Sequence, residues 1–167
     1  LKKKVEEKIA ANPKLAGMAS QILMEMTRDG LRIQIVDEDR HAMFASGSAV
    51  VAPGMKDLLR ELGSILADVP NRLTLEGHTD ALPFGSSERG YSNWELSADR
   101  ANASRREMIA GGLPDEQVLR VQGLAASNPF DRRDPAAPAN RRISIIVMTR
   151  EAEEALFRTT PEAPEGE

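Results

Sequence analysis

The sequence predicts an α/β fold: one sheet with helices packed on a face. Two observations carry this. Segments that alternate apolar and polar residues, such as LRIQIV at 31–36 and RLTLEG at 72–77, interleave with segments whose apolar residues recur at three and four. The last alternating segment, RRISIIVM at 141–148, is apolar on both faces over part of its length, as a central strand would be.

In chain order, residues 12–30 read as a helix. Asn12 is placed to cap it and Pro13 suits its first turn. Leu15, Met18, Ala19, Ile22 and Met26 follow helical spacing, and Gly30 is placed to end it. Upstream, Val5 and Ile9 continue the stripe weakly, so the residues before about Lys14 are expected to be dispensable for folding. LRIQIV sends Leu31, Ile33 and Ile35 to one face and Arg32 and Gln34 to the other, which makes a half-buried strand. DEDR turns the chain, and HAMFASGSAVV is a short strand or an irregular arm.

The next helix opens at Pro53, carries Met55, Leu58, Leu59, Leu62, Ile65, Leu66 and Val69 on one stripe, and stops at Pro70. RLTLEG is a strand, and ALPFGSSERGYSN a long loop. Ser92 and Glu95 form a capping box for a helix that Gly111–Gly112 terminates. VLRVQG is a strand, and a proline-rich loop leads to RRISIIVM. EAEEALFR makes a short helix, and TTPEAPEGE is expected to be disordered.

Composition narrows the function. Apolar residues are 41% of the chain, enough for one core, and a net charge of −4 gives no global field for nucleic acid. There is no cysteine, which excludes thiolate zinc sites, redox dithiols and cysteine nucleophiles. No run of about 18 apolar residues exists to span a membrane.

The segment GHTD at 77–80 holds one of the two histidines, with an acid two residues later. Three readings compete. Glu76, His78 and Asp80 would share one side of a strand and form a metal or hydrolytic site, yet HExxH, GxSxG and SxxK are all absent. Alternatively, His78 and Thr79 satisfy backbone groups at a strand end and Asp80 caps a turn. In the third reading, the following helix returns beside the strand, so Asp80 and Arg100 flank one pocket. The acid would take an ammonium and the arginine would grip a carboxylate as a fork. A plain Asp80–Arg100 salt bridge remains open beside it.

GHTD, then Asn93, Leu96, Ser97, Arg100 and Ala101 of N-x-x-L-S-x-x-R-A, then the NRR at 140–142, resemble the OmpA-like peptidoglycan-binding domain. The resemblance runs from about Leu31 to Met148. GLRIQIVDEDRHAMFASGSA and GYSNWELSADRANASRRE are similar to the branch of that family found in flagellar motor stators. The resemblance implies an OmpA-like two-layer α/β sandwich with a mixed sheet at 31–150. A linker and helix at 1–30 precede it, and a short helix and tail at 151–167 follow. It implies non-catalytic anchoring to the diaminopimelate residue of the peptidoglycan stem peptide, in the periplasm, with no cofactor or metal. Asp80 would hold the ammonium and Arg100 a carboxylate. Thr79, Asn93 and Leu96 would form the pocket wall, with Arg141 a further contact.

The same resemblance implies a homodimer, which apolar residues on the 14–28 helix would also serve; the net charge of −4 leaves nucleic acid out as a partner. In the full-length protein it implies a membrane-embedded stator partner, MotA, and contact with flagellar ring proteins. The branch also carries a membrane helix with a proton-binding aspartate, which these residues do not include. The loop at 81–93 is longer than the family turn. Another OmpA-like envelope anchor, or a wall hydrolase, are the alternatives.

Overall fold

A computed structural model describes residues 1–38, 41–83 and 90–158. The helices are α1 (Lys2–Ala10), α2 (Pro53–Ala67), α3 (Asn93–Ala110) and α4 (Arg150–Leu156). The strands are β1 (Ile22–Thr27), β2 (Gly30–Val36), β3 (Leu73–His78), β4 (Val118–Gly123) and β5 (Arg142–Met148). They form one five-stranded sheet in the order β1-β2-β5-β3-β4. The β1–β2, β2–β5 and β5–β3 pairs are antiparallel and β3–β4 is parallel, so the sheet is mixed. β5 is central, as its two apolar faces predict, and all of its residues are buried.

Alternation along the strands builds the core. Leu31, Ile33 and Ile35 of β2, Leu73 and Leu75 of β3, and Ile143, Ile145 and Val147 of β5 meet Leu58, Leu59, Leu62 and Leu66 of α2. Val5 and Ile9 of α1 and Ala103 and Met108 of α3 join the same cluster, so these three helices cover one face of the sheet. Each large side chain fully buried there is worth about 1.5–3 kcal/mol before chain entropy is counted. That is why α2, with its unbroken stripe, follows the predicted boundaries closely. The arm after β2 is irregular, held by an isolated bridge between Phe44 and Val51.

Residues 12–30 do not form the expected helix. Ala16–Gln21 make a 3-10 turn, and Ile22–Thr27 form β1, paired with β2 from Ile22↔Ile35 to Thr27↔Gly30. Ile22 and Met26 satisfy helical spacing, but Ile22, Met24 and Met26 satisfy strand spacing equally well. The unpaired edge of β2 decides between them, because its backbone groups need partners. Arg28 and Asp29 are therefore the two-residue turn of a hairpin, and Gly30 opens β2 instead of ending a helix. Gly30 has φ 139°, and a Cβ there would lie 2.0 Å from the Val147 carbonyl oxygen, so no other residue fits.

Asn12 caps no long helix; its amide donates to Glu61 on α2 at 2.7 Å. The helix forms earlier, as α1, where the apolar stripe is weak. Val5 is 1% exposed and Ile9 7%, so the premise that residues before Lys14 bury little does not hold: α1 packs two side chains into the core. The segment expected to supply an apolar dimer helix is an edge strand with Leu23 and Met26 exposed. The predicted tail disorder at 159–167 lies outside the described residues.

Candidate functional site

The site forms where β3 ends and α3 begins. Gly77 and Gly123 let α3 approach the sheet. A Cβ on Gly77 would lie 2.0 Å from the Ser97 carbonyl oxygen, and one on Gly123 would lie 2.4 Å from the Ala98 nitrogen. Thr79 and Asp80 leave the strand beside that helix, and the Thr79 N–H donates to the Ala125 carbonyl at 2.9 Å. The predicted capping box is present, with Ser92 and Glu95 satisfying each other's backbone donors. Asn93 donates from its side chain to the Leu82 carbonyl at 2.9 Å, tying the start of α3 to the chain after Asp80.

All six predicted residues, Thr79, Asp80, Asn93, Leu96, Arg100 and Arg141, line one cleft of about 460 Å³. This is within the common range for small-ligand sites, about 300–1,000 Å³. The opposite wall is not legible in the sequence. It comes from Asp37 at the end of β2 and from Ala42, Phe44, Ser46 and Gly47 of the irregular arm. Only Asp37 offers a signal, as a carboxylate just past the last apolar residue of a strand, and it reads as a turn residue.

The charges pair differently from a simple Asp80–Arg100 bridge. Arg141 joins the two acids: its Nε donates to Asp37 Oδ2 at 2.9 Å and its Nη1 to Asp80 Oδ2 at 2.8 Å. Asp37 Oδ1 also accepts the Met43 N–H at 2.8 Å, which fixes the root of the arm. Asp80 Oδ1 accepts the Leu82 N–H at 3.0 Å. Arg100 has no carboxylate within salt-bridge distance among the described residues. It donates from Nε to the Ser48 carbonyl at 2.8 Å, from Nη2 to that of Ala45 at 3.5 Å, and lies 4.8 Å from the centre of the Phe44 ring.

Burial pulls the Arg100 guanidinium below its ordinary pKa, against the field of Asp37. For Arg141, burial acts the same way but is outweighed by its bonds to Asp37 and Asp80, so it is held above the ordinary value. Both stay cationic, since a guanidinium is not deprotonated in proteins.

His78 takes no part in the cleft. Gly77 faces α3, so His78 faces the opposite side of the sheet. There it is 3% exposed and its Nδ1 has no partner among the described residues. Burial first, then Arg142 and Arg32, push its pKa down to about 3, which keeps it neutral. The parts of GHTD thus act separately. Gly77 admits the helix, His78 packs behind the sheet, and Thr79 and Asp80 reach the cleft. No group of three or more His, Asp or Glu side chains is gathered as metal ligands among the described residues.

This sheet order and this cleft define a domain of the OmpA type, and the comparison with known families agrees. The OmpA family pattern matches residues 43–142, and the chain belongs to that family. Among individual proteins, it is 46% identical over 159 residues to motility protein B of Escherichia coli K12, which covers 95% of this chain and 52% of that protein. The chain thus spans about half the length of that relative. Among solved structures, the cell wall anchor of the T6SS from Pseudomonas aeruginosa superimposes with a TM-score of 0.69 at 25% identity, covering 87% of this chain and 96% of that one. The periplasmic domain of Helicobacter pylori MotB (residues 78-256) shares the fold, with a TM-score of 0.66 at 20% identity over 84% of this chain and 93% of that one.

Proposed function

We propose that this chain is the periplasmic part of a flagellar stator subunit, and that it holds peptidoglycan without cutting it. The ligand is the diaminopimelate residue of the stem peptide, whose side chain ends in a carbon bearing both an ammonium and a carboxylate. The observation that carries this reading is the division of charge in the cleft. Asp80 has one bond to each oxygen, from Arg141 and from Leu82. A carboxylate offers about four acceptor sites, so an ammonium still finds room. Arg100 turns two donors to backbone carbonyls. A guanidinium has about five, so a fork remains for a carboxylate.

With Asp37, Asp80, Arg100 and Arg141 the cleft is neutral in sum, as the zwitterion is. Both acids accept from Arg141, which suits acceptors and not a proton donor. Thr79, Asn93 and Leu96 shape the wall around the ligand.

Similarity to motility protein B supports the wider setting. In the whole protein the domain pairs with a second copy, works with MotA in the membrane and meets flagellar ring proteins. Incubation of the 167-residue chain with purified sacculi tests the reading. Co-sedimentation with no soluble fragments is the expected result. Release of muropeptides would make the protein a hydrolase, and a chain left in the supernatant would end the wall-binding reading.

A further inference from the structure

A second hollow of about 370 Å³ opens beside the charged cleft. Pro83 and Asn93 line both, so the two adjoin. Their chemistry differs sharply. The cleft holds Asp37, Asp80, Arg100 and Arg141, whereas none of the described residues lining the hollow carries a charge. The wall of the hollow is Trp94, and its floor includes Ala125 and Ala126.

Trp94 is the only tryptophan in the chain and is 56% exposed. Its backbone N–H serves the α3 cap by donating to Ser92 Oγ, and among the described residues the indole ring has no hydrogen-bond or cation–π partner. The floor is rigid. Ala125 sits at φ 50°, a costly conformation for a residue with a Cβ. It is fixed by a bond from its N–H to Ser97 Oγ at 3.0 Å and by the Thr79 N–H at its carbonyl. An exposed indole beside the uncharged Ala125 and Ala126, next to a ligand cleft, is suited to a flat and partly apolar neutral group.

We propose that this hollow is a subsite for the glycan strand. One pyranose ring of an N-acetylated amino sugar lays its C–H face on the Trp94 indole while the stem peptide fills the charged cleft. The inference rests on the wall-binding reading above. A pyranose has an apolar face of C–H groups and a polar rim, and the electron-rich face of an indole complements the former. The rim meets Ser127, whose hydroxyl donates to the Leu124 carbonyl and keeps its acceptor sites. A protein partner fits less well. A stable interface buries roughly 800 Å² per partner, far more than one ring and a small floor provide.

The test compares two ligands on the full chain: a diaminopimelate tripeptide, and the same peptide carrying its N-acetylglucosamine–N-acetylmuramic acid disaccharide. The disaccharide-peptide is expected to bind about tenfold tighter, the upper end of what one aromatic stacking contact supplies. As the sole tryptophan, Trp94 reports directly. Its emission should shift, and its quenching by acrylamide should fall, with the disaccharide-peptide and not with the tripeptide. Trp94→Ala should keep the tripeptide affinity and lose the increment, and Trp94→Phe should restore part of it. Equal wild-type affinities with unchanged emission overturn the subsite and leave wall binding standing. Equal loss of both ligands in Trp94→Ala also overturns it, since the ring would then act in the cleft. Failure of both ligands to bind the wild type overturns the wall-binding reading and the subsite with it.

Discussion

Acid should destabilise this protein through His78 before it reaches most carboxylates. The imidazole is buried behind the sheet, and burial together with Arg142 and Arg32 brings its pKa from 6.5 to about 3. In the unfolded chain it returns to the ordinary value. Between these two values the unfolded state binds the proton and the native state does not, so stability falls as pH falls. The contribution is fully present above about pH 6.5, drains as pH drops toward about 3, and changes no further below that. At pH 5 the unfolded histidine is about 1.5 pH units into its titration, and each unit is worth about 1.4 kcal/mol. The expected loss between pH 7 and pH 5 is therefore about 2 kcal/mol, a large share of the ~5–15 kcal/mol that holds a typical domain.

Urea unfolding at the two pH values measures it directly. His78→Asn, which does not titrate, should lose about 2 kcal/mol less than wild type over that interval. The variant should be somewhat less stable at pH 7 and should bind sacculi as wild type does, since the ring faces away from the cleft. The same pH slope in both proteins would contradict the burial assigned to this histidine.

Two further outcomes follow from packing. Ile9→Ala should cost about 2 kcal/mol, the low end for deleting a core isoleucine, because α1 lies at the margin of the cluster. An unchanged urea midpoint would detach α1 from the core. Gly77→Ala drives a methyl to 2.0 Å from the Ser97 carbonyl oxygen. It should cost about 3 kcal/mol, the upper end for overpacking, and weaken wall binding by shifting α3. A variant of wild-type stability and affinity would show that α3 gives way freely.

The parts of the fold that the sequence discloses are those in which one periodicity stands alone. α2 has only helical spacing, and β3 is a short alternating run closed by turn residues. Residues 22–26 carry both periods at once, and the choice rests on a partner more distant in sequence, the open edge of β2. α1 reads weakly because it has only two buried apolar residues, Val5 and Ile9, which suffice when α2 lies against them. The cleft is half legible. Asp80, Arg100 and Arg141 sit in short motifs, and the topology brings them together. The arm of residues 42–47 has no regular period, so nothing local shows that Phe44 lies over Arg100 or that Asp37 shares Arg141 with Asp80.

The central claim is that Asp80 and Arg100 together read a zwitterion. Its most direct test is the affinity of wild type, Asp80→Asn and Arg100→Ala for a diaminopimelate stem peptide, with urea unfolding to confirm that each variant is folded. A lysine stem peptide, which keeps the ammonium and lacks the carboxylate, is the control ligand. Each charge-assisted contact is worth about 1.5–3 kcal/mol, so either substitution should weaken the diaminopimelate peptide about 10- to 100-fold. Wild type should bind the lysine peptide as poorly as Arg100→Ala binds the diaminopimelate peptide, because both lack the same contact. Wild-type affinity in both folded variants, or no preference for diaminopimelate over lysine, would contradict the account.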